Sequence, residues 1–131
     1  MNEITQTWLK LCSPDYLDIV MDKAPLDYSY LLILEYENQE KLFAVSRYPA
    51  KYVNTHLSRE RQNGVNNPVR VYVSSLIFRG ESVKRALQKK LADFRHSRKG
   101  RYLIPETAFT TAINEVFSVA RLHNSGDNKI A

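Results

Sequence analysis

The chain has 131 residues, 44% hydrophobic and 25% charged, which suits one soluble globular domain able to bury a core without staples. No apolar run approaches the roughly 18 residues of a membrane helix, and MNEITQTWLKLCSPDY lacks the basic start and apolar stretch of a secretory signal. Net charge is +5 with one cysteine, so an internal disulfide is excluded and a reducing compartment, the cytoplasm, is expected.

In chain order, residues 2–12 read as a short helix, capped by Asn2 and apolar along Ile4, Trp8, Leu9 and Leu11. Ser13-Pro14 restarts a second helix, serine as cap and proline where no N–H is needed, and Pro25 ends it. Residues 28–36, YSYLLILEY, alternate with period two and are apolar on both sides, the pattern of a central strand. Glu37–Glu40 is a polar hairpin turn and Lys41–Ser46 the return strand. Pro49 opens a helix to Gln62, with Val53 and Leu57 apolar, and Asn63-Gly64 stops it. Residues 69–78, VRVYVSSLIF, form a third strand rich in β-branched side chains. After a basic helix closed by Gly100, RYLI (101–104) is extended. Pro105 then begins a helix carrying Phe109, Ala112, Ile113, Val116, Phe117 and Ala120 on one face.

These elements predict an α+β fold: a small central three-stranded antiparallel sheet flanked by helices. It is a single domain, 1–131, comprising a helical segment (1–25), a core (28–104), a C-terminal helix (105–122) and a flexible tail (123–131).

Arg79–Arg101 holds nine of the nineteen basic residues and only two acidic ones, Glu81 and Asp93. On a helix, Val83, Leu87, Leu91 and Phe94 fall within an arc of about 80°. Arg85, Lys89 and His96 lie opposite, with Lys84 and Arg95 on a flank. Such a helix buries one face and offers the other to a polyanion, because local potential rather than net charge attracts one. Other chemistry finds no support. His56, His96 and His123 have no partners at metal-ligand spacing, no CxxC or HExxH occurs, and the four glycines form no phosphate loop. Cys12 lies among apolar residues, and Asp15 and Asp18 sit where a helix's first turn favours negative charge.

Residues 30–104 resemble the GIY-YIG endonuclease superfamily, in particular its phage- and bacterial-type branch. The segments carrying the resemblance are Leu42–Tyr52, the turn from Asn63-Gly64 to Pro68, Lys84–Gln88 with Leu91 and Arg95, and Arg101–Leu103. The order hairpin, helix, strand, helix is the family's. The resemblance implies that fold and a groove facing nucleic acid. The departures fall on the chemistry. The family's strand glycine is Ala44, its catalytic arginine is Tyr52, its metal-binding glutamate is Lys84, and the histidine that follows is Gln88. A lysine there would repel a divalent cation, so the resemblance does not carry cleavage with it.

The expectation is therefore a non-catalytic nucleic-acid-binding protein, a regulator without metal or cofactor. Its phosphate contacts are drawn from Arg47, Lys51, Lys84, Arg85, Lys89, Arg95, Arg98, Lys99 and Arg101, with DNA ahead of RNA. The alternative is a protein-interaction regulator or inhibitor using the same surface against an acidic partner. Behind both stands an active nuclease with a rearranged site, Glu81 serving as a displaced carboxylate. No membrane partner is expected, and oligomeric state is left open.

Overall fold

A computed structural model describes residues 9–12, 24–65, 68–96 and 100–120. The strands are β1 (Leu9–Cys12), β2 (Tyr28–Glu35), β3 (Glu40–Ser46), β4 (Arg70–Ser74), β5 (Ile77–Phe78) and β6 (Arg101–Leu103). The helices are α1 (Pro49–Gln62), α2 (Gly80–Lys90) and α3 (Glu106–Val119), with a 3-10 turn at Ala92–Phe94. The sheet is antiparallel throughout, ordered β1-β4-β2-β3-β6, and β5 pairs with the start of β2.

β2 is central because both of its faces are apolar. Leu31 and Ile33 face α2 and α3, meeting Phe43, Val83, Leu87, Phe109, Ile113 and Phe117. Tyr30, Leu32 and Leu34 face the other way, toward Ala50, Val53 and Leu57 of α1. The result is three layers with the sheet in the middle. Leu31 through Leu34 are fully excluded from solvent. Each such side chain contributes about 1.5–3 kcal/mol relative to exposure, which makes β2 the main anchor of the fold.

Four expectations change, three of them in the sheet. The three-stranded sheet exists as β4-β2-β3 but is widened at both edges by β1 and β6. Leu9–Cys12, read as the end of a helix, is an edge strand on β4. Four residues with apolar Leu9 and Leu11 satisfy either period, and the open edge of β4 decides. Of the rest of the expected N-terminal helical segment, residues 1–8 and 13–23 lie outside the described residues, as does the tail from 123; Ala24 and Pro25 are described and are not helical, the Ala24 N–H donating to the Arg47 carbonyl at 2.8 Å. The third strand breaks at Ser75-Leu76 into β4 and β5. Between Leu32↔Val73 and Ser29↔Ile77 the register moves by one residue, a bulge in which Ser74 Oγ accepts the Leu31 N–H at 2.9 Å.

The basic helix is shorter than its pattern. It ends at Lys90, and Arg95 is already paired with Tyr102, while the His96 N–H donates to the Arg101 carbonyl at 3.1 Å. Leu91 and Phe94 reach the core through a 3-10 turn as readily as through a helix, so the apolar spacing does not separate the two. Elsewhere the pattern holds. α1 runs from Pro49 to Gln62 as read, and Gly64 beyond it adopts φ +73, the left-handed stop that favours glycine. The predicted apolar face of α3 is buried from Phe109 to Phe117.

Candidate nucleic-acid interface

The carboxylates nearest the sheet are turned inward. On the α3 side, Glu35 lies 3.3 Å from Lys41 Nζ and 3.2 Å from Arg70 Nη1. Lys41 is itself buried, its ammonium 5.0 Å from the centre of the Phe109 ring. On the α1 side, Glu60 accepts the Tyr36 hydroxyl at 2.6 Å and lies 3.0 Å from His56 Nε2 and 3.3 Å from Arg101 Nη2. Arg101 also reaches Glu40 at 3.2 Å and lies 3.7 Å above the Tyr36 ring, and His96 pairs with Glu40. Burial first, then the hydrogen bond to Glu60, pushes the Tyr36 phenol far above its ordinary range. Burial draws Glu40 upward, but the Asn38 hydrogen bond and the charges of His96 and Arg101 outweigh it and hold the carboxyl below its ordinary value. Among the described residues no group of three or more His, Cys, Asp or Glu side chains is placed to hold a metal, so this cluster is an ion-pair network.

The surface left behind is basic. Among the described residues nine lysines and arginines are exposed against six acids. On α2, Arg85 and Lys89 face solvent one turn apart, and Arg95 is exposed beyond the helix end. Lys84 is half-buried and held 3.2 Å from Glu81, and Lys90 lies 3.0 Å from Glu115. Arg79, at φ +51, precedes the helix and lies over the Phe78 ring at 5.1 Å.

The sequence-derived contacts therefore do not form one surface. Arg85, Lys89 and Arg95 belong to the α2 side. Lys51 is exposed on α1, across the sheet. Arg47 is half-buried, donating from Nη2 to the Ala24 carbonyl at 2.9 Å. Arg101, at 14% side-chain exposure, is an internal bridge and not a surface contact. Arg98 and Lys99 lie outside the described residues. α1 and α2 themselves both start at the end of the sheet where β2 begins and β3 ends, whereas Arg95 lies at the opposite end, paired with Tyr102.

On the outer face of α1 sequence reasoning singled out Lys51 alone. All seven of its exposed side chains are basic or uncharged hydrogen-bonding groups, including Lys51, Arg59 and Arg61, while its one carboxylate, Glu60, is buried. A shallow depression of about 410 Å³ runs along Asn54, Thr55, Ser58, Arg59 and Gln62. The signal was present in the charge sequence of α1, but only the helical position of Glu60 shows that it opposes the bases. Tyr52, where the resembled family keeps its arginine, is half-buried and stacked on His56 with centroids 5.8 Å apart. Burial raises the Tyr52 phenol above its ordinary value. No helix among the described residues is long and apolar enough to cross a membrane. No protein-family model, curated protein or solved structure matches the chain.

Proposed function

We propose that this chain is a non-catalytic nucleic-acid-binding protein, a regulator that holds phosphates through the outer face of α2. The observation that carries the reading is the division of charge. Glu35, Glu40 and Glu60 are neutralised by the enclosed Lys41 and Arg101 and by the surface-reaching Arg70, and among the described residues eight further exposed bases stand against six exposed acids. A polyanion is attracted by this local potential. Arg85 and Lys89 are the first contacts, with Arg95 beyond them. The hairpin, helix, strand, helix order, with β4, β2 and β3 adjacent, supports a GIY-YIG-like scaffold. Lys84 and Tyr52 at the positions of that family's glutamate and arginine support binding without cleavage.

The test is fluorescence anisotropy with a labelled 20-base-pair DNA duplex, its RNA counterpart and a single strand, each over a salt series. Three phosphate contacts give a log K against log[salt] slope of about −2.7 on duplex DNA, from about −0.9 per contact. Affinity indifferent to salt, or none at low salt, overturns the proposal. A polyglutamate chain bound in preference to either duplex moves the reading to an acidic protein partner. Nicking of plasmid with Mg²⁺ or Mn²⁺ that disappears in Glu81→Ala overturns its non-catalytic part.

A further inference from the structure

The outer face of α1 is not used by that reading. It points away from α2, because the sheet lies between the two helices. At 100° per residue its seven exposed positions span an arc of about 160°. Within that arc there is no carboxylate and no apolar side chain. Lys51 stands near one end of the helix, Arg59 and Arg61 near the other; Asn54 and Ser58 lie between them, and Gln62 closes the helix beside Arg61. None of the three bases has an ion-pair partner among the described residues.

This composition discriminates between partners. A protein interface is built on an apolar or aromatic centre ringed by polar groups. The α1 face has no such centre. Nucleic-acid interfaces are polar and positively charged, and their phosphates are held by Arg and Lys together with Ser, Thr, Asn and Gln. α1 presents that set along a helix of fourteen residues, about 21 Å at 1.5 Å per residue. That length follows several consecutive phosphates of a duplex. The N-terminal turn, with no acid in it, carries the positive end of the helix dipole beside Lys51.

We propose that the outer face of α1 is a duplex-docking surface, separate from α2, in which Lys51, Arg59 and Arg61 contact phosphates and Asn54, Ser58 and Gln62 donate hydrogen bonds beside them. It rests on the reading of the ligand as nucleic acid and adds a second surface to it.

Three proteins are compared on the labelled DNA duplex: wild type, Lys51→Ala/Arg59→Ala/Arg61→Ala, and Arg85→Ala/Lys89→Ala. Since every changed side chain is exposed, both variants should melt at the wild-type temperature, which is checked first. With both faces engaged the wild-type slope steepens from about −2.7 to about −5.4, three contacts from each side of the sheet; the α1 triple variant is expected to return it to about −2.7 and the α2 pair to about −3.6. At fixed low salt the triple variant should lose at least tenfold in affinity. A wild-type slope and affinity in the triple variant overturns the inference while leaving the binding reading intact. A wild type that binds no duplex overturns the binding reading and removes the ground for this one. Should the triple variant prove unstable, Asn54→Asp and Ser58→Asp, which add repulsion without removing a base, provide the same discrimination.

Discussion

α1 and α2 are of similar length, flank the same sheet and each carry one carboxylate among their bases. They differ in where that carboxylate points. Glu60 of α1 is buried against Tyr36, His56 and Arg101, so the helix exterior is left to Lys51, Arg59 and Arg61. Glu81 of α2 is exposed and pairs with Lys84 on the same helix, partly cancelling the charge beside it. The lesson is that the number of basic residues on a helix does not measure its potential. The side on which the acid lies decides it.

The largest test of the contrast places one substitution on both helices. Glu60→Ala removes a nine-tenths-buried carboxylate and leaves Arg101 and the Tyr36 hydroxyl short of a partner. Breaking a buried pair in this way costs about 3–5 kcal/mol. Glu60 Oε1 has no hydrogen-bond partner among the described atoms, which favours the lower end of that range. Glu81→Ala should change stability by no more than about 0.5 kcal/mol, the ordinary effect at an exposed site. Urea unfolding of both variants is the measurement. Equal losses would mean that the two carboxylates do the same work and the contrast is empty.

The start of α2 is held differently from that of α1, which begins on Pro49. A Cβ on Gly80 would stand 2.3 Å from Ser29 Oγ and 3.3 Å from Val45 Cγ1, so the helix approaches β2 as closely as a bare backbone allows. The Gly80 N–H also donates to that Oγ at 3.1 Å. Gly80→Ala should destabilise by about 1–3 kcal/mol, the range for overpacking. Ser29→Ala clears the nearest atom, so the double variant should lose less than the sum of the two singles. Additive losses in a thermal melt would show that the close approach is not what demands glycine.

Most of the framework was legible in residues whose pattern admits one reading. The alternation through YSYLLILEY gave β2, Pro49 and Asn63-Gly64 bracketed α1, and Phe109 to Phe117 gave the buried face of α3. What misled was short or degenerate. Four residues at Leu9–Cys12 do not distinguish strand from helix, and Leu91 with Phe94 suits a 3-10 turn as well as a fourth helical turn. Of the sequence-derived contacts, Arg85, Lys89, Arg95 and Lys51 were found exposed. Arg101 was not, because its partners Glu40 and Glu60 lie 61 and 41 residues away and meet it only when β6 joins the sheet. No local pattern announces such a pairing.

That distant pairing makes the α1 side of the molecule the acid-sensitive one. Glu40 is held below its ordinary value of 4.5, so the stability it contributes is complete above that pH and is lost as pH falls through its folded value. Denaturant midpoints taken between pH 6 and pH 3 should fall, and Glu40→Gln should flatten the fall. The Tyr36 phenol works in the opposite direction. Its raised value favours the protonated folded state, so its contribution is complete below pH 10.0 and lost above it. A Glu40→Gln profile parallel to wild type would place the acid sensitivity elsewhere.

The smallest effect bears most directly on binding. Lys84 and Glu81 form a surface pair, 24% and 51% exposed, for which a double-mutant cycle should return about 0.2–1 kcal/mol. At about 1 M salt, where the screening length is near 3 Å, the coupling should shrink toward zero, whereas the Glu60–Arg101 coupling, shielded from solvent, should persist. A coupling this weak leaves Lys84 free to exchange Glu81 for a phosphate, so Glu81→Gln should tighten duplex binding while Glu60 variants change it only by unfolding the protein. A Lys84–Glu81 coupling above about 2 kcal/mol, retained in salt, would tie that lysine down as firmly as Arg101. The α2 side would then keep Arg85, Lys89 and Arg95 for a polyanion with Glu81 still among them, and the outer face of α1, with as many bases and no acid, would be at least its equal.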